Sequence, residues 1–317
     1  MRRLGFTMIE LIFVIIIMGI IGKFGVEFLA QSYKGFIFSN VNHNLQSQSK
    51  MAVESIASRL QYRIKDSTIK RQSDVFANYE GIGSTVILGT EKDYNILEWV
   101  GADIDSFRGN SSPYWSGIID LYHTNSNNMN LFSPETNATS INLMIQALSN
   151  GARDINDSAL YFIGADSDIK TGYGWDSNLA TQVNVLDTQT GSMHHVTAPS
   201  INSFAPIIGN FTGIDVYEYY QLAWTAYAVG ISDWNATDNN TGTLMLYYDY
   251  QPWSLHRYDD NGTNNPNAIG HITKKAIIME NVSTFQFKSV GSVIKIQVCV
   301  NSKLVEDYSL CKEKTIF

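Results

Sequence analysis

At 317 residues, with 44% hydrophobic and 16% charged residues, the chain is apolar enough to build a core and too sparsely charged to be disordered. Its net charge of −8 is uneven: through Arg71, ten Lys and Arg stand against four Asp and Glu, which leaves twelve against twenty-six beyond, or +6 followed by −14. So acidic a remainder argues against nonspecific nucleic-acid binding, because phosphate contacts need basic surface.

The first thirty residues set the frame. Arg2 and Arg3 precede an apolar run that begins at Phe6 and is interrupted only by Glu10 before Lys23. As a helix rising about 1.5 Å per residue, residues 6–30 reach roughly the 30 Å of a bilayer core. The two arginines hold the amino end in the cytoplasm, which sends everything after the helix to the outer side. Glu10 is costly there, on the order of 2.5 to 3.5 kcal/mol, and needs a partner or a function. A secretory signal peptide would end in a small-residue cleavage site, and Lys23-Phe24-Gly25-Val26-Glu27 offers none. A plain signal anchor has no use for Glu10, and a buried core helix has none for the basic leader.

The heptapeptide Gly5-Phe6-Thr7-Met8-Ile9-Glu10-Leu11 resembles the class III signal of type IV pilins and type II secretion pseudopilins, whose glycine, aromatic residue and glutamate stand in this register. The resemblance implies cleavage after Gly5 by prepilin peptidase, N-methylation of the new amino terminus at Phe6, and a pairing of Glu10 with the terminal amine of a neighbouring subunit. It also implies other pilins or pseudopilins as partners through the helix, no cofactor, and a single pass through a bacterial inner membrane with the head in the periplasm. The expected organisation is a leader at residues 1–5, a transmembrane helix at 6–30, an amphipathic stalk at 31–72 and a β-rich head at 73–317.

Beyond Ala30 the helical pattern turns amphipathic. Val41, Leu45, Ala52, Ile56, Leu60 and Ile64 recur at steps of four or seven as one stripe, and no proline occurs before Pro113. This predicts one helix over residues 6–70, about 100 Å long, with Gly19, Gly22, Gly25 and Gly35 as its weak points. Many family members carry a proline some twenty residues into the mature helix, where Glu27 stands here, so the local melting that proline permits is not implied. Residues 51–60 are similar to the helix end of the larger minor pilins and of the J-type minor pseudopilin.

The head reads as strands and polar loops. Short strands are expected at residues 85–88, 118–122 and 159–164, with Asn/Ser/Thr-rich loops at 125–130 and 133–140 and a polar tract at 172–178. Residues 219–231 and 243–250 read as a hairpin around a long loop at 232–242, followed by strands at 275–279, 284–287 and 293–300. Phe285, Phe287, Val293, Ile296, Val298 and Val300 give that sheet an apolar face toward the stalk. Helix first and antiparallel sheet afterwards is an α+β order. Cys299 and Cys311, oxidised in an extracytoplasmic compartment, would close a short loop; two free thiols is the alternative.

No catalytic signature is present: no GxSxG, HExxH or phosphate loop, so no enzyme is expected. His194-His195 reads as a solvated turn. Asp233, Asn235 and Asp238, and separately Asp259, Asp260 and Asn261, are the only candidate calcium loops, and neither has EF-hand spacing, so Asx turns are the alternative. Tyr114, Trp115, Trp175, Trp234, Tyr247, Tyr248, Tyr250 and Trp253 could form a stacking platform for sugars or single-stranded DNA, or could be core. The expected function is structural, a minor tip or initiating subunit of a type IV pilus or a type II secretion pseudopilus. The alternative is a tip subunit whose head binds a ligand in DNA uptake or adhesion.

Overall fold

The computed structural model describes residues 7–84, 94–165, 168–177, 191–235, 240–305 and 308–317. Gly5, Phe6, Asp238 and the strand expected at 85–88 lie outside them.

Helix α1 (Met8–Leu60) has 53 residues and is about 80 Å long. The four glycines at 19, 22, 25 and 35 sit within it without a break, each facing open space. Its second half buries the expected stripe: Val41, Leu45, Ala52, Ile56 and Leu60 are all covered, the last two completely.

The expectation of helix to residue 70, and hence of a stalk helical to 72, is corrected. The Ile64 N–H, in an extended conformation, donates to Val100 O at 2.9 Å, and Arg63 bridges Gly101. Pairing with a strand therefore captures the chain just after Leu60. A 3-10 turn at Lys65–Ser67 follows, in which the Ser67 hydroxyl donates to Ile64 O at 2.7 Å.

The strands are β1 (Ile69–Gln72), β2 (Tyr79–Gly81), β3 (Tyr94–Gly101), β4 (Leu131–Phe132), β5 (Ala159–Phe162), β6 (Met193–Ser200), β7 (Ser203–Pro206), β8 (Tyr220–Ala223), β9 (Thr225–Asn235), β10 (Thr241–Tyr250), β11 (Lys274–Val290), β12 (Val293–Asn301) and β13 (Ser309–Ile316). Eight form one sheet in the order β13-β12-β11-β10-β9-β3-β1-β2, and five form a second in the order β4-β7-β6-β5-β8. Every named pair is antiparallel. Helices α2 (Ile104–Arg108) and α3 (Ala138–Ser149) accompany the smaller sheet. The chain is α+β, with the long helix laid on an antiparallel sheet.

Strand periodicity decides which residues meet the helix. Leu97 and Trp99 of β3, Leu244 and Leu246 of β10, and Ile294, Ile296, Val298 and Val300 of β12 pack with Val53, Ile56 and Leu60 of α1 in one core. Phe285 is buried there, and Phe287 packs against it half-buried. Alternate residues Ile96 and Val100 point to the opposite face, where a second core holds Tyr173, Trp175, Tyr250 and Trp253. A third core lies between the five-stranded sheet and α3, around Trp115, Ile141, Ile145, Phe162, Phe204 and Tyr220.

Several local expectations change. Residues 118–122 form only a bridge between Ile118 and Tyr219, because Asp120 caps a turn by accepting the Tyr122 N–H at 3.1 Å. The loop expected at 133–140 ends inside α3, whose first turn Asn137 caps through Ser140 N at 3.0 Å. The hairpin loop shortens, since β9 continues to Asn235 and β10 begins at Thr241. The strands expected at 275–279 and 284–287 merge into β11, which absorbs the break as a register shift against β10 between Met279 and Val282, where Asn281 has φ 57°. His194 and His195 lie on β6 rather than in a turn, and His194 is buried.

Candidate membrane and assembly segment

The head leaves the first half of α1 uncovered. From Met8 to Leu29 its apolar side chains are all exposed, for example Phe13 at 61%, Ile21 at 65% and Leu29 at 68%. An apolar surface of this extent marks a membrane or a protein interface. The helix is long and apolar enough to cross a membrane. Lys23 is exposed, and Phe24, Val26, Phe28 and Leu29 continue the apolar surface beyond it.

Glu10 stands in the first turn, where the helix dipole favours a carboxylate. Its Oε2 accepts the Thr7 N–H at 3.4 Å and the Thr7 hydroxyl at 3.3 Å, both long contacts on an exposed turn. The carboxylate is thus held at the amino end of the helix, and Thr7 leaves much of its hydrogen-bonding capacity open. Gly5 and Phe6, expected to flank the cleavage site, lie outside the described residues.

Cys299 and Cys311 face each other across the β12–β13 pair and form a disulfide. The bridge ties β13, the edge strand among the described residues, to its sheet neighbour β12. From the other side β13 rests on α1: Ile316 enters the helix core, Tyr308 just before the strand donates to Asn42 Oδ1 at 2.9 Å, and Lys314 pairs with Glu54.

The head brings together charges that sequence reading did not single out. Arg71 and Glu98, both buried, pair at 2.7 Å on the sheet face away from α1. Arg71 also donates to Trp175 O at 2.8 Å and to Phe76 O. Burial pushes the Glu98 carboxyl up, and the guanidinium opposes that shift. The available signal was a lone carboxylate inside the run Ile96-Leu97-Glu98-Trp99-Val100. Elsewhere, buried Asp249 joins Arg153 at 2.8 Å and Lys274 at 2.6 Å. His256 and His271 stack at 3.7 Å, with His271 Nδ1 on Asp260 Oδ2 at 2.9 Å. Burial, then the charges of His271 and Arg153, push the His256 imidazole down to about 2. Asp103 caps α2 through Ser106 N at 3.2 Å, yet its buried Oδ2 has no partner among the described residues, and burial pushes its carboxyl up to about 6.

Other candidate sites do not assemble. Asp233 and Asn235 sit on the exposed end of β9, and Asp238 is outside the described residues. In the second loop Asp259 pairs with Arg257 at 3.0 Å and Asp260 is buried against His271. Among the described residues no group of three His, Cys, Asp or Glu is arranged to hold a metal ion. Of the aromatic platform, Trp115, Trp175, Tyr250 and Trp253 are core, Tyr114, Tyr247 and Tyr248 are half-buried, and Trp234 is exposed on its own strand end. A cleft of about 590 Å³ where α1 ends is lined by Arg59, Tyr62, Asp105, Arg108 and Tyr227, and a cleft of about 660 Å³ lies among Asn127, Asn128, Phe211 and Tyr217. Neither collects a catalytic set.

Compared with known proteins, the chain matches no family model, no curated protein and no solved structure.

Proposed function

We propose that the chain is a structural subunit of a membrane-assembled fibre of the type IV pilus or type II secretion pseudopilus kind, anchored by α1 with its head outside the cytoplasmic membrane. One observation carries the reading: Gly5-Phe6 and Glu10 stand in prepilin register at the start of one unbroken helix, whose first half is wholly exposed and whose second half is built into the head. Such a helix can sit in the bilayer until assembly and then exchange lipid for neighbouring helices along the same surface. Glu10 gives that exchange its register, because a buried carboxylate is relieved by a cationic terminus at one height only. The size of the head favours a minor position at the tip over repetition along the fibre.

The experiment is Glu10→Val in the full chain, with helix-to-helix crosslinking to partner subunits as the readout. The variant inserts more readily and is cleaved after Gly5, since neither step needs the carboxylate. It accumulates in the membrane and its crosslinks to partner helices are lost. Unchanged crosslinking together with normal fibres would remove Glu10 from assembly, and a chain cut after Gly22 rather than Gly5 would replace the prepilin reading with an ordinary signal peptide.

A further inference from the structure

Asn-x-Ser/Thr triplets recur through the head, and the fold sorts them by whether an enzyme could grip them. Asn137 is half-buried, with its side chain spent on capping α3. The Asn156 triplet ends on fully buried Ser158. Asn210 is followed by Phe211 and Asn281 by Val282, both buried anchors that hold the backbone down. The Asn235 and Asn239 triplets run into residues outside the described ones. Asn110-Ser111-Ser112 is exposed, but among the described residues no side-chain hydrogen bond orders the triplet.

Asn261-Gly262-Thr263 is different. Asn261 and Thr263 are both exposed, in a turn flanked by buried Asp260 and Asn265 and bridged from Asn261 to Ile272. Asn265 Nδ2 donates to Leu255 O at 2.8 Å, and the Arg257 N–H donates to Asp260 Oδ2 at 2.8 Å. Asn261 Oδ1 accepts three donors: the Thr263 hydroxyl at 3.0 Å, the Thr263 N–H at 3.1 Å and the Asn264 N–H at 3.0 Å. Its Nδ2 makes no hydrogen bond among the described residues. The turn therefore fixes the amide oxygen and the hydroxyl as one unit and leaves the amide nitrogen toward solvent. Gly262, at φ 93°, supplies the backbone conformation that a side chain would resist. Asp259, two residues before the asparagine, is held by Arg257 through two hydrogen bonds of 3.0 Å, which steadies the chain as it enters the turn.

We propose that Asn261 is the acceptor of an N-linked glycan. A surface Asn-x-Ser/Thr in an exported chain is the substrate form for that modification, so the inference rests on the extracytoplasmic placement of the head. The donor class is an oligosaccharide on a diphospholipid, used by a membrane oligosaccharyltransferase. The amide nitrogen of Asn261 attacks the anomeric carbon, forming the N–C bond. The bond from that carbon to the diphosphate oxygen breaks, and its electron pair leaves with the diphospholipid. One amide proton passes to a base of the transferase, and nothing is oxidised or reduced. The glycan would stand on the connection between β10 and β11.

The test is peptide mass spectrometry on the full chain purified from its own membranes, alongside protease shaving of intact spheroplasts. The peptide spanning residues 258–273 should carry hexose or hexosamine mass. The sugar should disappear in Asn261→Gln and Thr263→Val, and persist in Thr263→Ser, which keeps the hydroxyl. Because every variant lies on an exposed loop, all should reach wild-type levels. A shaved, outward-facing head with bare Asn261 overturns the proposal and leaves the anchoring reading intact. A head protected from the protease overturns both. Conversion of Asn261 to aspartate without sugar is deamidation at Asn-Gly, and it also overturns the proposal.

Discussion

Replacing Asp103 by asparagine isolates a single titration. In the folded chain this carboxyl is 3% exposed, one oxygen receives the Ser106 N–H, the other has no partner among the described residues, and the nearby charge of Asp105 works in the same direction as burial. Its pKa is raised from 3.8 to about 6. A raised carboxyl pKa means that the folded state holds the proton longer than the unfolded one. Stability therefore falls as pH rises from the unfolded value through the folded value, between about 4 and 6. Roughly two units at about 1.4 kcal/mol each give about 3 kcal/mol of destabilisation at pH 7 that is absent at pH 4. Asparagine keeps the cap, because its amide oxygen accepts the same N–H, and it removes the charge. Urea unfolding of the detergent-solubilised full chain, followed by tryptophan fluorescence across pH 4 to 8, gives the comparison. Asp103→Asn should match wild type near pH 4 and exceed it by about 3 kcal/mol at pH 7. His195 and His256, whose imidazoles are held neutral by burial, change stability in the opposite direction as pH falls, and they cancel in the difference. A variant that is weaker than wild type by the same amount at both pH values would show that Asp103 is not an uncompensated charge.

Three further outcomes follow from the cores. Ile56→Ala, at a fully buried position between α1 and the large sheet, should cost 2 to 5 kcal/mol in the same unfolding assay. Arg71→Met strands buried Glu98 and should cost about 3 to 5 kcal/mol, whereas adding Glu98→Gln should recover a large part, because the pair has paid its desolvation jointly. Cys299→Ser opens a loop closed over a separation of 12 residues and should cost about 3 kcal/mol; quantitative thiol labelling of the native wild-type chain without reductant would contradict the bridge.

The helix and the sheet that covers it were legible because their signals are periodic. Val41 to Leu60 repeat at helical spacing, and Ile296, Val298 and Val300 alternate, so the residues that meet were identified before their partners were. The end of α1 was not, since nothing local stops a helix after Leu60: the stop is the hydrogen bond from Ile64 to Val100, made by a strand dozens of residues later. The aromatic tracts were ambiguous for a related reason. Trp175 and Trp253 sit in polar stretches, and only the packing of the second core makes them interior. Helix α3 was hidden by its Asn-Ala-Thr-Ser start, which composition reads as loop and geometry uses as a cap. Of the candidate site, the place of Glu10 in the first turn came from sequence, while the long contacts to Thr7 required coordinates.

The seating of β13 on α1 imposes an order on biogenesis. The hydroxyl of Tyr308 reaches Asn42 across 266 positions of sequence, and Lys314 reaches Glu54 across 260. The helix is made well before the strand that closes over its apolar stripe. Until residue 316 emerges, the stretch from Val41 to Leu60 has no permanent cover on that side, and contacts this distant in sequence form slowly. A nascent chain truncated before β13 would present an open helical seam to whatever lies nearby, which makes the interval before β13 is made the period when the protein is open to aggregation or to a chaperone.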